Sequence, residues 1–371
     1  MSSNGKRDDS IIKSTADEAL SSKLSATSKG YYSDPYLSYF AVDADSSNRS
    51  NKYNTVHPII RKGSHARVCC MDRVIAALHS NHFENAVKNK EHVQVVVLGA
   101  GKDTSYFRYR SNTLTTQIKS SDASENEQSV RNVSWYEIDH FSIINFKKSR
   151  VRMIESDRML QKRHPSANHV NILKHYLIEF DLRSSAVDLM KLLEERYEFK
   201  RELPTLFVME CVQMYLPELS SHSLLRTLAD ACRDSVIAIY DPILLHDPFG
   251  KVMQRNLGRL CNEESSLVQN KTLEDCMTKL KCCGFQRILA CDMKSAYGMV
   301  VTADQRLRSN RCEMLDEYEE WNLIMSHYAF IVAGTGGGIS DVFCSVRGES
   351  SPLGVKEGHC LTEEHLDMTL I

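Results

Sequence analysis

The sequence lacks the features that define several large classes of protein. No apolar run approaches the roughly 20 residues needed to cross a bilayer, and the N-terminus is too polar for a signal peptide. The formal net charge is only −2 over 371 residues, so no basic field is available to hold nucleic acid or an anionic membrane. We therefore expect a soluble, monomeric protein of the cytoplasm, with the nucleus as a second compartment.

Cysteine is present but lacks the spacing that would give it a structural role. None of the twelve cysteines forms a C-x-x-C motif, and the adjacent pairs are Cys69-Cys70 and Cys282-Cys283. A zinc site or a disulfide framework would need regular spacing. We expect reduced thiols and no bound metal.

Short apolar runs alternate with helical patterns along the chain. The runs that predict strands are 93–98, 134–139, 175–182, 204–216, 234–242, 284–292 and 327–338. Helical patterns fall at 142–160, 184–198 and 217–232. This alternation predicts an α/β fold with a doubly wound, mostly parallel sheet of seven strands. Nearly continuous apolar strands agree with it, because parallel strands are covered on both faces.

Polar segments set the expected boundaries of the domain. Residues 1–28 are rich in Ser, Lys and Asp with little apolar periodicity, which predicts a disordered tail. Residues 29–346 would form a single domain, and 347–371 a polar C-terminal tail. The polar stretch 111–132 is long for a loop in a compact domain, so we interpret it as an insertion.

The residues that end the predicted strands suggest a ligand site. In doubly wound sheets, ligands bind beyond the carboxyl ends of the strands. The residues at these ends are Gly99-Ala100-Gly101, Asp139, Asp181-Leu182, Glu210 and Asp241. Glycines let the backbone approach a ligand closely, and an acid after the second strand can accept hydrogen bonds from ribose hydroxyls. Asp181 is suited to recognise an adenine amino group, although each acid taken singly could be a helix N-cap.

The same residues separate the candidate ligands. The dinucleotide fingerprint G-x-G-x-x-G has Thr104 in place of its third glycine, and Asp103 would face a pyrophosphate in the same turn. The phosphate-binding motif G-x-x-x-x-G-K-[ST] is absent. Acids at several strand ends favour an adenosine ligand that carries cationic groups in place of phosphates. S-adenosylmethionine fits this description.

Several blocks of the sequence resemble the leucine carboxyl methyltransferase family. They are KGYYSDPYLSYF, GSHARV, VVVLGAGKDTSYFR, YEIDHF, EFDLR and VMECVQMYL. They follow the family order over most of residues 29–240, with a looser match through 241–335. The pair L-G-A-G-x-D-T and E-C-V-x-x-Y is far more specific than a lone glycine turn. The resemblance implies a Rossmann-like sheet of the S-adenosylmethionine-dependent methyltransferase type, with an N-terminal helical lid in residues 29–80.

The resemblance also implies an activity. Such enzymes methylate the α-carboxylate of the C-terminal leucine of the protein phosphatase 2A catalytic subunit and release S-adenosylhomocysteine. An α-carboxyl group has a pKa of about 3.3–3.7, so the nucleophile is ionised at pH 7 and needs no general base. The alternatives are a small-molecule carboxyl or hydroxyl O-methyltransferase, and a non-catalytic cofactor-binding scaffold for the phosphatase. A hydroxyl acceptor would need a base, for which His140 or His246 would be candidates.

Roles for individual residues follow from the resemblance. The implied cofactor contacts are Lys29, Arg67, Gly99, Gly101, Asp139, Asp181, Leu182 and Glu210. Arg67 would contact the methionine carboxylate and Glu210 the ammonium group, while Asp139 would hold the ribose. Lys29 and Tyr36 would belong to the lid. Tyr215 would position the leucine carboxylate, so the candidate catalytic residues are Arg67 and Tyr215.

The sequence departs from the family pattern at two places. His65 stands where many relatives have an aromatic residue, and the insertion 111–132 is long. The histidine would alter the wall of the pocket, and the insertion would change how the phosphatase docks.

Overall fold

The architecture is a single sheet with helices on both faces. The computed structural model describes residues 3–41, 56–77, 92–111, 113–116, 131–166, 170–232, 234–258, 265–269, 271–336 and 360–361. Its strands are β1 (His92–Leu98), β2 (Arg131–Asp139), β3 (Val170–Glu179), β4 (Thr205–Glu210), β5 (Ser235–Pro242), β6 (Arg287–Asp292), β7 (Tyr328–Gly334) and β8 (Cys360–Leu361). Their order is β3-β2-β1-β4-β5-β7-β6-β8.

The predicted doubly wound sheet is confirmed. Strands β1 to β5 pair in parallel, whereas β7 lies antiparallel between β5 and β6. The orientation of β7 was not predicted, because a short apolar run looks the same in either direction. The two-residue β8 adds an eighth strand to the described part of the sheet, within the segment expected to be a polar tail.

Fifteen α-helices occur in the described residues. They are α1 (Ser3–Ser28), α2 (Leu37–Phe40), α3 (Pro58–Ala77), α4 (Ser105–Arg110), α5 (Thr113–Thr116), α6 (Phe141–Ser156), α7 (Arg158–Arg163), α8 (Ala186–Arg196), α9 (Glu218–Ala231), α10 (Pro248–Leu257), α11 (Ser266–Gln269), α12 (Leu273–Cys282), α13 (Met293–Met299), α14 (Ala303–Cys312) and α15 (Tyr318–Ser326). None of them is long and apolar enough to cross a membrane.

Two apolar cores lie on opposite faces of the sheet. Successive side chains of a strand point to opposite faces, and in β1 the side chains of Val95 and Val97 join one core while those of Val96 and Leu98 join the other. Helices α3, α6 and α13 contribute to the first core, and α8, α9 and α12 to the second. The strands are buried on both sides as a result, which explains their continuous apolar sequence.

The prediction of a disordered tail over residues 1–28 is wrong for residues 3–28, which form α1. Leu20 and Ala26 are buried, and Lys23 forms an ion pair with Asp103 in the turn after β1. Tertiary contacts stabilise this helix, so its weak apolar periodicity gave no sign of it.

Parts of the other expected polar segments lie outside the described residues. Within the expected insertion 111–132, α5 and the start of β2 are described, but 112 and 117–130 are not. Residues 78–80 at the end of the expected lid, and most of the tail 347–371, are likewise outside them.

Candidate active site

The carboxyl ends of the central strands open into one cavity of about 810 Å³. This volume lies within the range of about 300–1,000 Å³ that is usual for small-molecule sites. The cavity lies where the strand order reverses between β1 and β4, which is the position at which doubly wound sheets bind ligands. Its walls come from the turn after β1, the ends of β2 and β4, and helix α1.

The glycine turn after β1 needs its glycines for two separate reasons. Gly99 and Gly101 have φ angles of +67° and +49°, which side-chain-bearing residues rarely adopt. A Cβ atom on Gly99 would also lie 2.6 Å from Cγ2 of Val212. The amides of Gly99 and Ala100 both donate to the carbonyl of Ile138, at 2.9 and 3.1 Å. The turn is thereby fixed against the end of β2.

Asp139 at the end of β2 faces the cavity with both oxygens partly occupied. Oδ2 accepts a hydrogen bond from the Gly101 amide at 2.7 Å, and Oδ1 accepts one from the His140 amide at 2.6 Å. Burial raises the pKa of Asp139, and these two donors and the charge of Lys147 oppose that rise. A carboxylate has about four lone-pair sites, so Asp139 can accept further hydrogen bonds from a ligand.

Arg67 and Glu210 form an ion pair inside the cavity. The Nε of Arg67 lies 2.5 Å from Oε2 of Glu210, and the side chains are 18% and 15% exposed. The guanidinium carbon of Arg67 lies 4.9 Å from the ring centroid of Tyr240, which adds a cation–π contact. Burial alone would lower the pKa of Arg67, but the carboxylate of Glu210 raises it, so the guanidinium stays charged. An arginine from α3 and an acid from β4 thus meet at one point.

The turn after β3 carries Asp181 and Leu182 into the cavity wall. Arg183 pairs with Asp181, with Nη2 of the arginine 2.7 Å from Oδ2 of the acid. Burial would raise the pKa of Asp181, but the hydrogen bonds from Arg183 lower it. Arg183 also lines the cavity and was not predicted.

Tyr215 lies in a 3₁₀ turn, Gln213–Tyr215, that follows β4 and lines the cavity. The turn is held from two sides. The amide of Gln213 donates to Oδ2 of Asp241 at 3.3 Å, and the amide of Ser266 donates to the carbonyl of Leu216 at 2.8 Å. Burial raises the pKa of Asp241 to about 7.

The raised pKa of Asp241 predicts a pH-dependent contribution to stability. In the folded protein the carboxyl keeps its proton up to about pH 7, whereas in the unfolded chain it loses the proton near pH 3.9. Between about pH 4 and about pH 7 the folded state therefore binds more protons than the unfolded chain. The stabilisation that this proton binding provides falls as the pH rises from about 4 to about 7. Asp241→Asn should remove the effect. We expect the melting temperature of the variant, relative to wild type, to increase between pH 5 and pH 8; a constant difference would contradict this.

The predicted contact Lys29 does not reach the cavity. Lys29 is exposed beyond the end of α1, and Tyr36 is buried against Phe107, with ring centroids 5.2 Å apart. Helix α1 itself lines the cavity, and its Lys23 lies there, 3.1 Å from Oδ1 of Asp103. Helix α1, which precedes the segment 29–80 that was expected to form a lid, therefore supplies this wall of the cavity.

A family model described as leucine carboxyl methyltransferase matches residues 11–229. The chain belongs to this family. The matched region begins inside α1, so this helix belongs to the family domain. Membership of the family makes the protein a methyltransferase.

Relatives resemble the chain over nearly its whole length. Leucine carboxyl methyltransferase 1 of Schizosaccharomyces pombe is 28% identical over 320 residues, which cover 86% of this chain and 92% of the relative. The protein of the same name in Caenorhabditis elegans is 26% identical over 333 residues, covering 89% and 93%. A solved structure of geranyl diphosphate methyltransferase in complex with S-adenosylmethionine covers 80% of this chain and 93% of that one, with 11% identity and a TM-score of 0.34.

The structure brings eight of the nine predicted site residues to the cavity of this family member. They are Arg67, Gly99, Gly101, Asp139, Asp181, Leu182, Glu210 and Tyr215.

Sequence reasoning missed Lys23, because its segment is polar and has little apolar periodicity. It also gave Asp103 no role beyond excluding a pyrophosphate. Burial would raise the pKa of Asp103, but Lys23, Lys147 and Arg108 together lower it. No cluster of side chains suited to a metal ion occurs among the residues that the structure describes.

Proposed function

We propose that the protein transfers a methyl group from S-adenosylmethionine to the α-carboxylate of the C-terminal leucine of the protein phosphatase 2A catalytic subunit. The observation that carries this proposal is the meeting of Asp139, Asp181 and the Arg67–Glu210 pair at one cavity, in a chain of this family. These groups complement a ligand that has ribose hydroxyls, an adenine and a zwitterionic amino acid.

The residues of the cavity suit the two ends of this cofactor. Asp139 would hold the ribose hydroxyls, and Asp181 with Leu182 the adenine. The Arg67–Glu210 pair offers one cation and one anion side by side, as the carboxylate and ammonium of a methionine moiety require. Bound S-adenosylmethionine would supply the methyl group, because its positively charged sulfur makes the methyl carbon an electrophile.

The protein's own contribution to the reaction is positioning and exclusion of water. The acceptor carboxylate is ionised at pH 7, so no group has to remove a proton from it. Alignment of the two reactants can supply roughly 7–11 kcal/mol of the barrier. Tyr215 would orient the carboxylate. Apolar side chains on this side of the cavity, Met214, Pro217 and Leu257, would exclude water, which otherwise weakens a carboxylate nucleophile.

The decisive experiment uses labelled S-adenosylmethionine with the intact phosphatase catalytic subunit and with a subunit that lacks its terminal leucine. Label on the intact subunit alone, released by mild base as an ester would be, supports the proposal. Saturable cofactor binding without label on the phosphatase would favour a small-molecule acceptor or a binding-only scaffold. No cofactor binding would reject the proposal as a whole.

The variant His140→Gln tests whether a base takes part. His140 lines the cavity, and its Nδ1 lies 3.1 Å from Oγ of Ser142. For a carboxylate acceptor we expect kcat to stay within about tenfold of wild type, since general base catalysis contributes roughly 10²–10⁴-fold where it operates. A loss of that larger size, with unchanged cofactor affinity, would indicate a hydroxyl acceptor.

A further inference from the structure

A lysine is fully buried beneath the glycine turn. The side chain of Lys147, on α6, is 0% exposed, and its Nζ lies 2.8 Å from Oε2 of Glu137, which is 1% exposed. The same Nζ donates to the carbonyl of Ala100, the middle residue of the turn, at 3.4 Å. Glu137 lies on β2 two residues before Asp139, so the two side chains point to the same face of the sheet.

Stability alone gives no reason for such a pair. Removing two charges from water costs several kcal/mol per ion, and apolar side chains of similar volume often serve as well or better. We therefore looked for a role of the Lys147 amine in its contacts other than Glu137. Beyond Glu137, it donates to the turn that forms the cavity floor.

The charge of Lys147 also acts on the acids of the site. It lowers the pKa of Asp103 together with Lys23, and it opposes the rise that burial causes in the pKa of Asp139. Arg108, Asp34 and Asp72 also interact electrostatically with Asp103, and His140 does so with Asp139. On the far side, Nε2 of His175 lies 3.6 Å from Oε2 of Glu137.

We propose that Lys147 is a positioning residue for cofactor binding. Anchored by Glu137, it holds the Ala100 carbonyl so that the turn keeps its binding conformation, and it keeps Asp139 in the anionic form that accepts hydroxyl hydrogen bonds. This inference rests on the proposed use of S-adenosylmethionine, but it concerns a residue outside the cavity wall.

The test is the binding of S-adenosylhomocysteine to purified full-length variants by calorimetry over a range of pH, with thermal unfolding measured in parallel. For Lys147→Met we expect about tenfold weaker binding at pH 7, the equivalent of about 1.4 kcal/mol, because the charged donor that holds the Ala100 carbonyl is lost. We also expect the acid limb of the binding profile, the fall in affinity at low pH, to move to higher pH. Asp139 would no longer have the positive charge of Lys147 nearby, which favours its ionised form. Glu137→Gln keeps an oxygen for Lys147 to contact, so it should retain most of the affinity even if it lowers stability as much.

Lys148→Met is the matched control. Lys148 is the neighbouring lysine on the same helix, 38% exposed and 2.8 Å from Glu179, and such surface pairs contribute little. It should leave affinity, pH profile and stability unchanged. If Lys147→Met fails to fold, the double variant Lys147→Met/Glu137→Gln removes both buried charges, and it should fold but still bind weakly because the donor to Ala100 is gone.

The outcomes separate the two proposals. Wild-type affinity and an unmoved acid limb in folded Lys147→Met or in the double variant would overturn the positioning role while leaving the proposed function intact. An equal loss of affinity in Glu137→Gln and Lys147→Met, with no shift in the pH profile, would reduce Lys147 to a packing residue and also overturn it. Failure of the wild type to bind S-adenosylhomocysteine would overturn the proposed function, and the positioning role with it.

Discussion

Gly99→Ala is expected to lower the rate of methyl transfer by roughly 10²-fold, the loss that an approximately 1 Å misplacement of reacting groups can cause. The new Cβ would lie 2.6 Å from Cγ2 of Val212, and the φ angle of +67° is unfavourable for alanine. Val212 is a β-branched residue in the packed core, so its side chain has few alternative rotamers that would relieve the clash. The turn must therefore move, and the proposed cofactor site moves with it.

Gly298→Ala is the control for this change. Gly298 lies in α13, where an added Cβ atom would meet none of the described residues outside its own helix within 4 Å, and it does not have a positive φ angle. Binding of S-adenosylhomocysteine and the steady-state rate should be unchanged in this variant and strongly reduced in Gly99→Ala. A Gly99→Ala protein that binds S-adenosylhomocysteine as tightly as wild type would contradict this prediction. It would show that the turn tolerates a side chain and that the short distance between Gly99 and Val212 does not affect binding.

Glu210→Gln is expected to weaken cofactor binding by roughly 10- to 150-fold. The proposed contact between Glu210 and the cofactor ammonium is a hydrogen bond between charged groups, and such bonds contribute about 1.5–3 kcal/mol. The change also leaves the guanidinium of Arg67 without its carboxylate partner, 2.5 Å away in wild type. Calorimetric titration with S-adenosylhomocysteine would measure both the affinity and its enthalpy.

A matched pair on the surface separates this effect from loss of an ion pair in general. Arg201 and Glu194 have nearly the same geometry, with Nε 2.6 Å from Oε1, but they are 53% and 34% exposed. Glu194→Gln should leave both affinity and stability within error of wild type. If Glu210→Gln binds as tightly as Glu194→Gln, Glu210 has no contact with the ammonium group and the proposed orientation of the cofactor is wrong.

Local patterns in the sequence were sufficient to predict the central sheet and most of the site. The strands are apolar throughout because both of their faces are covered, so each run could be recognised without knowledge of its neighbours. In parallel strands the carboxyl ends share one edge, and the strand-end residues Gly99, Asp139 and Glu210 therefore fall together as soon as the strand direction is known.

Helix α1 and its Lys23 could not be predicted in the same way. The helix is polar along most of its length, and what orders it is contact with residues about eighty positions away, such as Asp103. The role of Lys29 was taken from the family resemblance, and the structure leaves this residue exposed. Pattern-based reasoning fails here because propensity and periodicity describe a helix by itself, whereas most helix stability in proteins comes from packing.

By itself, the sequence determined the fold class, the glycine turn and the acids at the strand ends, because each depends on residues adjacent in the chain. Only the tertiary structure decided which charges meet. Arg67 reaches Glu210 from a helix 143 positions earlier, and Lys147 reaches both Glu137 and Ala100 from a third element. A local sequence pattern cannot predict such a pairing. The pairing depends on the distance between the two side chains after the helices have packed against the sheet.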